Sequence, residues 1–551
     1  MPKLVAPDEN AVLFIGAGAN YYRIQGVEFT SAPGIYSQGL IEIGTGGETS
    51  NSQLAHDLDF DRDYIHGNSQ AGGKRGIALN GGATTIENCY FSALISTGQD
   101  TQAIAGWNGP GPYKILNNYL EAGTEIVAFG GAPVSIPLNV PSDILIKNNT
   151  FFKPLSWRPG DPSYAGVRVW AKNHIELKNA QRVTIDSNTF TNNWVGADQG
   201  GYVLVFGVRV EGGLVPWAVV KDIVVTNNVI RHAASGALFM GQDSIAGSGG
   251  SAGNFLIKNN LWEDLRNDWG GDGRLFLVEN RVLGINFDHN TAFETGWLLV
   301  LDGLFNFNIN FTNNIVNVAA GVIGPNTGVG APSFYAHSIG GVFLNNVLIG
   351  NSYYPYPPTT TIVSSMDQVG FANYGAENFL LASNSSFKGM ATDGTDIGSH
   401  VQPSAMMIPT GWTNLISKNT GKCLDVAGIS PNPGASLQQW TCWGGSNQAF
   451  QLTPVNGGYT ITPKNSGLAV EIAGGPSVTW PGATVGQWYY WGGSSQIWQV
   501  VPTEDGYFSF RPNNDGLCMD ISGSSKTDGA PVVQSTCASV DSQKWSFNPV
   551  Q

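Results

Sequence analysis

The chain has 551 residues, 42% of them hydrophobic and only 12% charged, with 72 glycines. That apolar share is enough for packed interiors and excludes a disordered chain. A net charge of −14, from 27 basic and 41 acidic residues, argues against a nucleic-acid partner, which needs a clustered basic surface, while a local basic groove for an anionic substrate stays compatible with it.

Taken from the N-terminus, no run of eighteen apolar residues occurs, so no membrane partner is expected. The opening Met1–Ile24 lacks the cationic, apolar and small-residue order of a signal peptide. The first dense group of charges is His56–His66, where Asp59 and Asp61 alternate with inward Leu58 and Phe60. Glu87 should lie one rung away, beside Asp61. Calcium is the cofactor candidate this raises, the alternative being solvated carboxylates beside Arg62. No zinc-protease, dithiol, phosphate-loop or dinucleotide-binding pattern is present.

From residue 85 a string of the form apolar-x-apolar-x-Asn-x-apolar recurs, as in Ile144–Phe151, Val183–Phe190, Ile223–Ile230 and Phe255–Trp262. Its asparagines are Asn88, Asn118, Asn149, Asn188, Asn228, Asn260, Asn290, Asn314 and Asn346, in steps of 30, 31, 39, 40, 32, 30, 24 and 32 residues. Such a period with short alternating strands marks a solenoid coil. A propeller would want four strands per repeat and longer periods. An asparagine at each turn can bond the next rung's backbone and its own neighbour, a stacked amide ladder. In this, residues of about 10–400 resemble the pectate-lyase-like superfamily, which implies a right-handed parallel β-helix. Gly98–Pro112, Trp170–Asn173 and Glu176–Arg182 resemble a bacterial family of such proteins that has no settled activity, so the resemblance implies fold more than reaction.

Each coil carries a second strand: Ile77–Asn80, Ile104–Trp107, Val127–Gly130, Ile175–Lys178 and Val203–Phe206. Alternation points Ile175 and Leu177 inward and His174, Glu176 and Lys178 outward. Lys178 is expected in line with Trp107, Gly130 and Phe206, and Glu176 with Ala105, Ala128 and Leu204. Trp107, Phe206, His174 and Lys172 would then line a sugar groove walled by the insertions 133–141 and 153–172. The alternative is that these insertions cover the strip and that Glu176 and Lys178 form a structural pair. Lyase chemistry needs a base and a cation for the substrate carboxylate, for which Lys178, Arg182, Arg209 and Lys172 are candidates. Hydrolysis needs two carboxylates, from Glu176 with Asp198 or Asp243 with Glu279. Known pectate-lyase and polygalacturonase signatures are absent.

Four of the five cysteines form two pairs of equal separation, Cys423–Cys442 and Cys518–Cys537, each 19 residues apart. Equal local loops read as two disulfides of an oxidising compartment, against two pairs of reduced buried thiols. Cys89 stands alone in a strand pattern and reads as a small core residue. Gly421–Val426, Gly467–Ile472 and Gly516–Ile521 are copies of one unit, each followed by Gln448-Ala-Phe450, Gln496-Ile-Trp498 or Gln543-Lys-Trp545. About 140 residues therefore hold three repeats. From residue 411 onward the chain resembles the ricin B-chain-like (QxW)3 β-trefoil lectins.

That resemblance implies one shallow sugar pocket per repeat. In the first it places Asp425, Gln438, Trp440, Asn447 and Gln448. In the second Glu471, Trp488 and Gln496 remain, but Gly486 stands for the glutamine, Ser495 for the asparagine and Ala469 with Tyr490 for the cysteines. In the third Asp520 and Gln543 remain, with Ser535 and Ser542 in place of the ring and the asparagine. A carboxylate, amides and a ring suit the paired hydroxyls and C–H face of a neutral sugar, and the order first, second, third follows from this pattern.

The sequence therefore predicts an all-β, secreted, monomeric protein: a β-helix over 1–400, a linker over 401–410 and a trefoil over 411–551. The expected partner is a polysaccharide or other glycan. A polysaccharide lyase stands slightly ahead of a glycoside hydrolase, with a non-catalytic adhesive solenoid as the alternative.

Overall fold

Short strands that alternate β-branched and polar residues bury one face and leave edges that the next coil can satisfy. The computed structural model describes residues 1–551 apart from 69–70, 244–249, 351–352, 375–376, 402–410, 456–457, 504–506, 539 and 551. Most of the predicted linker thus lies outside the described residues. The chain divides into two compact units near residue 403.

In the first unit, three parallel sheets of 13, 11 and 12 described strands run the length of a β-helix. The first sheet begins at Lys3–Ala6, the second at Leu13–Ile15 and the third at Asn20–Gln25, and each coil adds one strand to each. The interior is a continuous apolar column that includes Phe60, Ile86, Ile115, Ile146, Ile185, Val225, Ile257 and Phe287.

At the corner between the third and first sheets runs the amide ladder. Asn118, Asn149, Asn188, Asn228, Asn260 and Asn290 each donate Nδ2 to Oδ1 of the next asparagine, at 2.9–3.1 Å, and Asn314 donates to Asn346 at 3.0 Å. Each also donates to a carbonyl of the preceding coil, as Asn228 does to Ile185 O at 2.9 Å. Buried amides are thereby satisfied along the axis.

Asn88 is not a rung of this ladder. It has φ 57° and belongs with Asn117, Asn148, Asn227 and Asn259 to an outer column in the left-handed region, which asparagine tolerates better than most residues. The rung is the next residue, Cys89, whose N–H donates to Asn118 Oδ1 at 2.8 Å and whose Sγ lies 3.5 Å from Phe60 O. Burial pushes this thiol up to about 12. One coil earlier Asp63 takes the place, its N–H 3.4 Å from Cys89 Sγ and its Oδ1 accepting from Val27 N at 2.8 Å. Burial lifts its carboxyl to about 6.

The second unit is all-β. Six strands, Thr413–Ser417, Phe450–Val455, Gly458–Pro463, Trp498–Pro502, Phe508–Pro512 and Trp545–Pro549, close on themselves through pairing of the first with the last. Three hairpins pair Cys423–Val426 with Leu437–Trp440, Ala469–Ile472 with Val485–Trp488, and Cys518–Ile521 with Val532–Ser535. They meet one another at Ser436–Gly486, Gln438–Pro531 and Thr484–Val533, which makes a β-trefoil. Phe450, Trp498 and Trp545 of the three boxes are fully buried in its core. Both disulfides, Cys423–Cys442 and Cys518–Cys537, are formed.

Candidate functional site

In the first trefoil repeat the hairpin register sets Asp425 opposite Gln438. Gln438 Nε2 donates to Asp425 Oδ1 at 3.0 Å, and Asn447 Nδ2 and Gln448 Nε2 donate to its Oδ2 at 2.9 and 3.0 Å. Burial raises the Asp425 carboxyl against the pull of these amides. Trp440 stands 41% exposed at the rim. Four of the five residues that the resemblance places together are hydrogen-bonded together, the Asp425 carboxylate held by three amides. Trp440 follows two residues after Gln438 on the same strand.

The second repeat is built differently. Gly486 lies opposite Glu471, and without a side chain there the space that Gln438 fills in the first repeat stays open. A cavity of about 350 Å³ results, lined by Glu471, Ser436, Thr484, Gly486, Trp488 and Trp491 among others. Gln496 Nε2 donates to Glu471 Oε2 at 3.0 Å, and the N–H of Trp491 donates to Gln496 Oε1 at 2.9 Å. Burial raises the Glu471 carboxyl too, against that amide and Trp491.

Trp491 was not among the predicted contacts. Its indole folds over Gly493, where a Cβ would lie 2.1 Å from the ring, and Trp443 folds over Gly445 in the same way at 2.2 Å. The signal was the repeated Trp-Gly-Gly, which the third repeat lacks. There Gln543 Nε2 donates to Asp520 Oδ2 at 3.0 Å, with no ring at Ser535. A cavity thus lies at the second repeat, while the first keeps the predicted carboxylate and its three amides.

On the β-helix, the second sheet places the predicted groove residues apart. His174 is not outward: it is fully buried against Phe151 and Phe190, its Nε2 3.1 Å from Asn192 O. Phe206 pairs with Leu177, not Lys178, and lies in the interior column. Glu176 lies beside Val205 rather than Leu204. Ile175 and Leu177 face inward and Glu176 lies in line with Ala128 and Ala105, as expected. The next strand, Tyr202–Gly207, is one residue out of the expected phase, and at the corner Ile126, His174 and Val203 all face inward.

Glu176 does point outward, but it is covered, 4% exposed, with Oε2 3.3 Å from Lys178 Nζ. Burial acts to lower the Lys178 ammonium, yet Glu176 and Glu125 hold it above the ordinary lysine value. Lys178, expected as a lyase base, is thus ion-paired with Glu176 rather than standing free in a groove. Lys172 sits 2.8 Å from Asp100, 3.1 Å from Asp198 and 3.8 Å from Glu125.

Glu125, which the sequence did not single out, is the centre of this cluster. Gln102 and Thr124 donate to its Oε2 at 2.8 and 2.9 Å. Its carboxyl is raised, first by burial and next by the Glu176 carboxylate. Arg209 neighbours the cluster through its N–H to Lys178 O at 3.0 Å, while its guanidinium points to Met240 Sδ. Arg182 is elsewhere, exposed on the third sheet and paired with Asp143 at 2.7 Å. Trp107 is half-buried, with Arg75 5.3 Å above its ring.

The calcium candidate does not hold. Glu87 lies in register with Asp61, but Asp61 is saturated by Arg23, Gln25, Arg62 and Asn88 and is held well below the usual carboxylate range despite its burial. Asp59 pairs with Arg23 at 3.1 Å. The Asp61 carboxylate is thus taken up by donors that a cation would have to displace. Among the described residues no group of three or more His, Cys, Asp or Glu is placed to hold a metal.

The two units thus define a protein that joins a parallel β-helix to a three-fold trefoil with a pocket in its second repeat. Residues 411–545 match the ricin-type beta-trefoil lectin domain family. Among solved structures, the designed 3-fold symmetric protein ThreeFoil is 33% identical over 25% of this chain and 99% of its own, with a TM-score of 0.25. An exo-beta-1,3-galactanase from Clostridium thermocellum is 28% identical over 28% of this chain and 34% of that one, TM-score 0.25. The earthworm R-type lectin C-half, solved with GalNAc, is 21% identical over 25% of this chain and 98% of its own, TM-score 0.21. No curated protein matches the chain.

Among the described residues no helix is long and apolar enough to cross a membrane.

Proposed function

We propose that this is a secreted glycan-binding protein whose trefoil, from residue 411, grips a neutral sugar chiefly through its second repeat and holds the β-helix, residues 1–400, on polysaccharide. The observation that carries the reading is the cavity in which Glu471, fixed by Gln496, faces Trp488 and Trp491. A carboxylate accepts from adjacent hydroxyls while an indole covers the C–H face. The two disulfides fit an oxidising compartment, and tethering raises local polysaccharide concentration around the β-helix. The test is titration of the whole protein with neutral oligosaccharides, comparing the native chain with Trp491→Ala. Affinity that survives the substitution unchanged overturns the pocket assignment.

A second reading is favoured by the gathering of Glu125 and Glu176 with Lys172 and Lys178, in which burial and Glu176 raise the Glu125 carboxyl. That is how a general acid is prepared for glycoside hydrolysis, and it moves the β-helix reaction from lyase toward hydrolase. Release of reducing ends from a polysaccharide panel, abolished in Glu125→Gln, supports it. Unsaturated ends would restore the lyase, and release of neither, with binding retained, leaves an adhesive solenoid.

A further inference from the structure

The insertion 153–172 leaves the β-helix at Phe152 and returns at Asn173. On the way Arg158 stacks its guanidinium 4.2 Å from the Trp269 ring and donates to the backbone carbonyl of Asp268. This fastens the insertion to a turn three coils further along and closes a cavity of about 340 Å³. Its lining includes Arg158, Arg168, Trp194, Gly196, Trp269 and Gly270. The volume falls in the range of small-molecule sites, about 300 to 1,000 Å³.

Three features of the lining have no explanation within the fold. Trp194 is 2% exposed, yet its Nε1 has no acceptor among the described residues. Buried indole N–H groups ordinarily find one. Glycine at 196 places no side chain over that buried nitrogen, where a Cβ would lie 3.1 Å from it. Arg168 is exposed at the rim, with no ion pair or hydrogen bond among the described residues, in a chain of net charge −14. Asp268, the acid of the lining, is already paired with Arg266. The cavity is therefore rich in donors and net positive.

We infer that this cavity binds an acidic sugar residue, a pyranose carrying a carboxylate or a sulfate, as a second glycan site separate from the trefoil. The guanidiniums take the anion, of which Arg offers the planar fork suited to carboxylate and sulfate oxygens. The Trp194 N–H donates to a ring or hydroxyl oxygen. The half-buried Trp269 supplies apolar wall. The inference rests on reading the chain as glycan-binding, and it makes the β-helix a recognition body in its own right.

The experiment is calorimetric titration of the full chain with trigalacturonate, its methyl ester, a sulfated galacto-oligosaccharide and a neutral galacto-oligosaccharide. Variants are Arg168→Ala, Trp194→Phe and Trp488→Ala. The expected result is binding of at least one anionic probe, weakened about tenfold or more in Arg168→Ala, the worth of one charged hydrogen bond. Trp194→Phe keeps the buried ring and should weaken it by a smaller factor, and Trp488→Ala should leave it unchanged. The preferred probe tells carboxylate from sulfate. Equal binding of the methyl ester, or anionic binding indifferent to Arg168→Ala, overturns the site. Anionic binding lost in Trp488→Ala but kept in Arg168→Ala places it in the trefoil and also overturns the site, while glycan binding stands. Neutral binding without any anionic binding overturns the site alone. Binding of no probe at all removes both this site and the reading beneath it. Exposed Arg168 makes no hydrogen bond or ion pair among the described residues, so its variant should melt with the native chain.

Discussion

Gln496 donates its amide to Glu471 at 3.0 Å while its own carbonyl oxygen takes the N–H of Trp491 at 2.9 Å. One glutamine thus fixes both the carboxylate and the loop that carries the ring. Gln496→Ala should therefore weaken neutral-sugar binding about as much as removing either partner, by about 1–3 kcal/mol, measured by titration calorimetry. The corresponding Gln543→Ala in the third repeat should leave binding unaltered, because Ser535 offers no ring beside Asp520.

Asp425 and Glu471 are both raised by burial. A raised carboxyl takes up its proton at higher pH than a free one, whose ordinary value is about 4. A protonated acid no longer accepts from two hydroxyls. Sugar affinity should therefore begin to fall on acidification before free carboxylates titrate, and Glu471→Gln should be weak and flat with pH. Affinity constant down to the free-carboxylate range would contradict this.

Glu176 is covered and Lys178 is its cation. Lys178→Met leaves a buried carboxylate unpaired and should lower stability by about 2 kcal/mol or more, seen as an earlier denaturant midpoint. Under lyase chemistry the same change would abolish turnover in a protein of unchanged stability, so the two measurements together separate a structural pair from a base.

In the ladder, Asn228 accepts from Asn188 N and Nδ2 at 2.8 and 3.1 Å and donates to Ile185 O and Asn260 Oδ1. Asn228→Ala strands buried groups on two coils and should cost about 2–4 kcal/mol. Exposed Asn254 donates to Asp222 on the outer surface but has φ 57°, so its change to alanine should cost only about 1 kcal/mol, from backbone strain.

The disulfide Cys518–Cys537 closes a loop of 19 residues. Replacing both cysteines by serine should destabilise the trefoil by about 3 kcal/mol. The second repeat, which has Ala469 and Tyr490 instead, shows that the hairpin forms without such a bond.

The rungs from Asn118 to Asn346 were legible because a buried amide column leaves few alternatives to asparagine. The outer column misled at Asn88, since left-handed backbone also selects asparagine and the two columns are adjacent in sequence. The (QxW)3 boxes revealed the trefoil, yet the cavity of the second repeat lies beside Gly486, where the family pattern is broken. What a missing side chain leaves open cannot be read from a motif. The strip around Glu176 failed for another reason: strict alternation stops at the corner where Ile126, His174 and Val203 all turn inward. Neither Glu125 nor the Arg158–Trp269 stack bears a spacing signal, because long-range register and an insertion bring them into place.

Cys89 takes an asparagine's place in the ladder, sealed at the corner of a coil, with its thiol lifted to about 12. Sulfhydryl reagents should ignore it while that coil stays wound. With the other four cysteines tied up in the trefoil, alkylation of this single sulfur would time the opening of the β-helix alone, a chemical clock that the neighbouring unit cannot disturb.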